Sequence, residues 1–240
     1  METNSVQPPS VDVAEMNVIQ KIIGIFTSPA KAFASIDLKP TFILPLLIMI
    51  VISLLFAYTA RDVIKEEGFE RQEQIMQERG MDQEQIDQAM AQGEKMMAYT
   101  MPVFAVLGTI VLLIVVGGVF LFVGNVVLGG KTTYKKVLSV TAWSWLILSL
   151  YSLVMLPLVL AKHSMNVTFS LATFLSADAK GTFLYGLLSK IDIFYIWWIA
   201  VYSIGLAVIY KMETRKTAIA VTVVYLIYAV IASSFAGMFS

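Results

Sequence analysis

The 240-residue sequence contains no cysteine and a single histidine, and charged residues make up only 14% of it. Without cysteine the chain can form no disulfide bond, no thiolate nucleophile and no cysteine-ligated metal site. One histidine, His163, is too few for a typical multi-ligand zinc site, and no residue spacing suggests a partner for a Ser–His pair. Intramembrane aspartyl chemistry needs two carboxylates at mid-depth, and the sequence offers Asp192 alone. We therefore expect no catalytic residue, no metal and no cofactor, and we do not expect an enzyme.

Excess positive charge is also missing, because 17 Lys and Arg residues balance 17 Asp and Glu residues. A nucleic-acid-binding face needs a surplus of basic side chains, so no nucleic-acid partner is expected. The first segment, residues 1–17, is a polar tail without the basic flank and apolar core of a cleavable signal peptide. The first apolar segment must therefore direct membrane insertion itself.

Hydrophobic residues make up 58% of the chain, which is more than a water-soluble domain can cover. Five uncharged stretches are long enough to cross a bilayer, since a helical crossing takes about 20 residues. These predicted spans are residues 41–60, 102–128, 137–161, 193–210 and 217–239. The sequence thus predicts an all-α fold, a polytopic integral membrane helical bundle of about five transmembrane helices covering residues 18–240.

Two short helices are predicted before the first span. The first is amphipathic and is expected to lie on the membrane surface. Its apolar residues, at helical spacing, are Val18, Ile19, Ile22, Ile23, Ile25 and Phe26. The second begins at Ser28 and Pro29, which suit the cap and the first turn of a helix. We expect its Phe33 and Ile36 to point toward the lipid.

Two further segments are predicted outside the spans. Residues 61–101 carry five basic and ten acidic residues, which is typical of a segment exposed to water. Gly80 as a helix stop, and Asp82 with Gln85 as a capping pair, predict a helical hairpin there. Residues 163–189 are too apolar for a simple loop, so an interfacial or re-entrant element is expected.

The short loops predict the orientation. Residues 129–136 contain three lysines and no acid, and residues 211–216 contain three basic residues against one acid. Short loops rich in Lys and Arg face the cytoplasm. The five-span prediction therefore puts the N-terminus in the cytoplasm, with the acidic hairpin and the C-terminus on the outer side.

Span two contains the first candidate site, formed by Gly117, Gly118, Gly124 and Asn125. Small residues let helices approach closely, and a buried Asn that bonds across an interface contributes about 0.6 to 2 kcal/mol. The alternative is a broken helix that exposes polar backbone along a transport path. Helix packing is favoured, because span two offers no acidic side chain at the same depth.

Two more candidate positions lie at span starts. Gly129, Gly130 and Lys131 precede span three, but the earlier glycine of a phosphate-binding loop is missing, so a nucleotide site is not expected. Asp192 stands at the start of span four, where helix capping and the helix dipole favour a carboxylate.

Three segments together resemble a known family. They are Phe26 to Phe33 (FTSPAKAF), Gly129 to Val140 (GGKTTYKKVLSV) and Asp192 to Trp198 (DIFYIWW) followed by Ile204-Gly205-Leu206. In this order, at the predicted span boundaries, they resemble the bacterial branch of the Yip1 domain family, over roughly residues 24–240. The resemblance implies a five-span helical domain with a cytoplasmic N-terminus. For the bacterial branch, it implies a location in the bacterial inner membrane. The segment DLYGP and the long cytosolic tail of eukaryotic relatives are missing, so a role with small GTPases is not transferred.

Two functions remain open from the sequence. The favoured one is a non-enzymatic adaptor or organiser that acts by helix packing, with the lipid bilayer, membrane protein partners or further copies of itself as the expected partners. The alternative is a small oligomeric transporter or channel with a path near span two, for which Asn125 would supply a polar group.

Overall fold

The computed structural model describes residues 15–176, 179 and 181–234. Within these residues, all regular secondary-structure elements are helices. An isolated β-bridge joins Ser170 to Asp192. The helices are α1 Val18–Thr27, α2 Pro29–Leu38, α3 Ile43–Thr59, α4 Arg61–Glu78, α5 Gln83–Phe122, α6 Tyr134–Ser144, α7 Leu146–Lys162, α8 Phe183–Ser189, α9 Ile193–Tyr210 and α10 Thr214–Ser234. A π-helical turn, Val123–Val127, continues α5, and a short 3-10 turn covers Leu171–Phe174.

The predicted all-α membrane bundle is confirmed. Among the described residues, four stretches are long and apolar enough to cross a membrane, namely Tyr99–Val127, Tyr134–Lys162, Ile193–Tyr210 and Thr214–Ser234. A fifth is obtained if α3 and α4, which meet at a 67° bend, count as one broken span. Most of the predicted tail, residues 1–14, and the last part of predicted span five, residues 235–239, lie outside the described residues.

Two spans differ in detail from the sequence prediction. Span three is not one uninterrupted helix, because the chain turns at Trp145 between α6 and α7. Span two, in contrast, is the second half of a 40-residue helix that begins in the acidic hairpin. Asp82 caps this helix: its carboxylate accepts the Gln85 backbone N–H at 2.9 Å, and the Gln85 side chain accepts the Asp82 N–H at 3.4 Å. The second helix of the hairpin and the first part of span two are therefore one continuous helix, α5.

The N-terminal pair α1 and α2 packs into the bundle. Phe33 and Ile36 are buried, with exposures of 0% and 1%, and Phe33 lies against Gly205 of α9. The expectation that they face the lipid is wrong, because an apolar helix face is equally suited to a neighbouring helix. Glu15 and Lys39 close the open end of the pair with a 2.9 Å ion pair, and Lys39 lowers the pKa of Glu15.

Helix α9 lies at the centre of the bundle. Half of its membrane-spanning window is buried, the largest share among the four spans, and it contacts α2, α6, α7 and α10. Gly205 makes the closest approach possible: a Cβ there would come within 2.5 Å of Val140 Cγ1 and 2.9 Å of Phe33. The main hydrophobic core therefore forms around α9, with Trp143, Tyr202 and Phe33 as its largest fully buried side chains.

At the end of the bundle that carries the α4–α5 hairpin, called here the hairpin end, α4 docks on the turn after α7. The Glu67 carboxylate accepts hydrogen bonds from Ser164 Oγ at 2.6 Å and from the Met165 N–H at 2.9 Å. His163 Nε2 lies 2.7 Å from Glu66. The predicted interfacial segment 163–189 forms the short turn Leu171–Phe174 and helix α8, which packs against α10.

Candidate packing site at the basic end of span two

The opposite end of the bundle, called here the basic end, holds the candidate residues of span two. The loops 129–136 and 211–216 at this end carry the cationic side chains Lys131, Lys135, Lys136, Lys211, Arg215 and Lys216. Here α5 widens into the π-helical turn, in which the Leu128 N–H donates to the Val123 carbonyl at 2.9 Å and the Gly130 N–H donates to the Gly124 carbonyl at 2.9 Å. Gly129 follows with a φ of +70°, a conformation that favours glycine. The backbone bonds of the π-helical turn and the conformation of Gly129 therefore end α5 at this point.

Asn125 fixes the chain that leaves this turn. Its amide Nδ2 donates to the Thr132 carbonyl at 3.2 Å, and its Oδ1 accepts the Thr132 N–H at 3.2 Å. A hydrogen bond across a helix interface was expected for this side chain, but the structure places both bonds within one loop. The two bonds pair the backbone groups of Thr132, which lies in the loop between span two and span three. Asn125 therefore acts locally, by shaping the connection from span two to span three.

Two glycines of this turn accommodate the ring of Tyr210, the last residue of α9. A Cβ on Gly124 would lie 2.1 Å from the Tyr210 ring, and a Cβ on Gly130 would lie 2.4 Å from it. The Tyr210 hydroxyl donates to the Phe120 carbonyl at 3.4 Å. The remaining cavity beside this ring is about 10 Å³, which is room for one water at most. Spans two and four are therefore in direct contact here.

The adjacent glycines Gly117 and Gly118 lie in different surroundings, one inside the bundle and one on its surface. A Cβ on Gly117 would come within 2.7 Å of Leu138 in α6, whereas a Cβ on Gly118 would meet nothing within 4 Å. Gly117 therefore serves the packing of α5 against α6 inside the bundle. Gly118 leaves a notch on the outer surface of α5.

Lys131 is exposed at the turn, and another lysine contacts this site. Lys216 Nζ donates to the Leu128 carbonyl at 3.1 Å, so α10 also contacts the end of span two. The neighbouring Thr217 hydroxyl donates to the Ser203 carbonyl of α9 at 2.8 Å. Neither Tyr210 nor Lys216 was recognised from the sequence, because nothing in the local pattern pairs either residue with span two.

Asp192 lies at the hairpin end, far along α9 from this site. It is 1% exposed, and its Oδ1 accepts the Phe194 N–H at 2.8 Å as the cap of α9. Its Oδ2 is buried without a hydrogen-bond partner. Phe194, whose N–H it accepts, packs against Tyr151 with ring centroids 5.0 Å apart. In the described part of the chain, no three His, Asp or Glu residues come together as a metal site.

The model of the Yip1 domain family matches residues 23–235. This chain belongs to the Yip1 domain family. No curated protein and no solved structure matches the chain. Because the match takes in the apolar helices described above, this Yip1 protein is an integral membrane protein.

The three segments that carry the family resemblance each include the end or the start of a helix. Phe26 to Phe33 forms the turn between α1 and α2, and Gly129 to Val140 runs from the turn at Gly130 into α6. Asp192 to Trp198 caps and begins α9, the most buried span. The segments therefore shape helix ends and close helix contacts in this Yip1 protein.

Proposed function

We propose that this Yip1 protein is a non-enzymatic membrane adaptor that binds a transmembrane helix of a partner protein along span two. The proposed contact, called here the outward face of α5, consists of Phe104, Leu107, Val111, Val115, Gly118 and Phe122. The five large side chains of this face are 53–71% exposed in the isolated chain. The partner would pack its own small or flat surface against the notch at Gly118.

The single observation that carries this proposal is the contrast between apolarity and burial in span two. The most apolar 18-residue stretch of Tyr99–Val127 is more apolar than the corresponding stretch of any of the other three spans, and it has the lowest buried share, 17%. Lipid contributes no hydrophobic drive between helices, so association in a bilayer relies on close van der Waals fit. Gly118, with open space above it, gives such a fit a place to form.

The same region offers little support for a transport path. The cavity near Gly124 measures about 10 Å³, and the Tyr210 ring occupies the space next to it. Asn125 bonds to its own loop instead of facing a lumen. A partner-binding role therefore agrees better with this geometry than the transporter or channel alternative.

For the location we propose the bacterial inner membrane, with the N-terminus in the cytoplasm and the C-terminus outside. The basic end of the bundle would then face the cytoplasm, as expected for short loops rich in Lys and Arg. The acidic α4–α5 hairpin would lie outside.

The proposal is tested by photo-crosslinking in the native membrane. A photoreactive amino acid is placed at Val111 on the outward face of α5 and, in a second variant, at Leu107. Val223 on the exposed side of α10 is the matched control. We expect the same protein adduct from both α5 positions and no such adduct from Val223.

Gly118→Leu should abolish this adduct, because its side chain fills the notch, whereas Ser234→Ala at the far end of the bundle should leave it unchanged. Adducts with lipid alone from all three positions would contradict the adaptor role. An adduct formed only between two copies of this chain would replace the adaptor with a self-assembling organiser.

A further inference from the structure

A cleft of about 690 Å³ opens between span one and span two at the hairpin end. Its lower walls are apolar and come from α3 and α5, with Leu54, Ala57, Met97, Met101 and Pro102 as lining residues. This volume lies within the roughly 300–1,000 Å³ of ordinary small-molecule sites. The cleft is far larger than the space beside Gly124.

The upper rim of the cleft is charged and has both signs. It consists of Arg61, Asp62, Lys65 and Glu94, where α3 bends into α4. Arg61 Nε lies 3.3 Å from Asp62 Oδ1, and Lys65 pairs with Glu94 across the two hairpin helices. All four side chains remain 38–70% exposed, so a ligand can reach both charged pairs.

The cleft sits at the level where the apolar spans begin. Tyr58 at the end of α3 is 73% exposed, and Tyr99 at the start of the apolar part of α5 is 78% exposed. Exposed tyrosines at span ends are typical of the headgroup level of a bilayer. The Arg61 guanidinium lies 5.4 Å from the centre of the Tyr58 ring, so a cation is held at this level. The apolar walls thus lie on the hydrocarbon side and the charges on the water side.

We propose that this cleft binds one phospholipid with a zwitterionic headgroup that ends in a primary amine. Its phosphate would bind Arg61 and Lys65, its ammonium would bind Asp62 and Glu94, and one acyl chain would pack against Met97, Met101 and Leu54. The site is separate from the outward face of α5, so it does not depend on the proposed partner.

The paired charges select this headgroup over other phospholipids. Arginine and lysine bind phosphate oxygens with charge-assisted hydrogen bonds, and carboxylates accept equivalent bonds from an ammonium. A primary ammonium offers three donors to Asp62 and Glu94, whereas a trimethylated choline offers none. A glycerol headgroup has no cation, so the two carboxylates would repel its net negative charge.

The test is native mass spectrometry of the full-length protein in a mild detergent, titrated with lipids that share dioleoyl chains. The probes are phosphatidylethanolamine, phosphatidylcholine and phosphatidylglycerol. We expect a first phosphatidylethanolamine adduct that forms about tenfold more tightly than with either other lipid, the ratio expected of one added charge-assisted contact.

Three variants assign the preference to the rim. Glu94→Gln should weaken phosphatidylethanolamine and leave phosphatidylcholine unchanged, because it removes an ammonium acceptor only. Arg61→Gln should weaken all three lipids by removing a phosphate donor. Ala57→Trp should exclude the first lipid by filling the cleft. Glu84→Gln is the matched control for the carboxylate change, because Glu84 is an exposed residue in the first turn of α5 and does not line the cleft.

Equal affinity for the three lipids would overturn the proposal. So would an unchanged preference in both Glu94→Gln and Arg61→Gln, each of which is a surface change that keeps the fold testable if Ala57→Trp does not fold. Absence of lipid selectivity in the wild-type protein, together with an intact α5 crosslink, would refute this site and leave the adaptor proposal standing.

Discussion

Gly124 and Tyr210 occupy complementary space at the basic end, and this contact depends on a single missing methyl group. Because a Cβ on Gly124 would lie 2.1 Å from the Tyr210 ring, Gly124→Ala forces the ring or the helix to move. Such overpacking costs about 1–3 kcal/mol. We expect an unfolding free energy lower by that amount in mixed detergent micelles.

Gly118→Ala is the matched control, since its new methyl group meets open space and alanine favours the helix by about 0.5–1 kcal/mol. The double variant Gly124→Ala/Tyr210→Ala should lose less stability than the sum of the two single losses, because the new methyl group no longer meets a ring. Equal destabilisation by Gly118→Ala and Gly124→Ala would show that the close contact with Tyr210 is not the cause.

Asp192 gives a second test at a single residue. Asp192→Ala removes the bond to the Phe194 N–H, and loss of an N-cap costs about 0.5–2 kcal/mol. Asp192→Asn keeps an accepting oxygen for this cap and removes a carboxylate whose second oxygen is buried and unpartnered. We therefore expect Asp192→Asn to unfold at a higher temperature than Asp192→Ala. The opposite order in detergent melting curves would mean that the charge itself is needed.

At the scale of elements, the α1–α2 pair should contribute substantially to the stability of the bundle. Phe33 is fully buried against Gly205 of α9, so Phe33→Ala leaves a cavity that costs about 3–5 kcal/mol. Leu38→Ala, on the same helix but with 56% of the leucine exposed, should have little effect. Equilibrium unfolding in mixed micelles distinguishes this packing from a helix that merely lies on the lipid surface, for which the two variants would be alike.

The elements also show what the sequence can predict. Runs without charge predict the spans, because the cost of placing charge in hydrocarbon is a local property. The partner of an apolar face is not local: Phe33 and Ile36 fit lipid and protein equally well by pattern. Gly117 and Gly118 are neighbours of identical chemistry, and only the position of α6 makes one buried and the other open. The turn at Trp145 likewise has no proline or glycine to predict it.

At the scale of the whole molecule, the absence of cysteine permits a direct test of orientation. A single cysteine is introduced at Lys131 in the basic loop or at Glu73 in the acidic hairpin. We expect a membrane-impermeant maleimide to label Glu73→Cys in spheroplasts and to label Lys131→Cys only after permeabilisation. Labelling of both without permeabilisation would exclude the proposed five-span orientation.

The central position of α9 has a consequence for biosynthesis. Helix α2 packs against Gly205 of α9, and α9 leaves the ribosome only after most of the chain has been made. Contacts between such distant segments form slowly and late. Until α9 is inserted, the packing surface of the first helices stays exposed. A nascent chain with such an exposed surface is accessible to chaperones and proteases. A chain truncated before α9 should therefore be degraded, however well its first three spans insert.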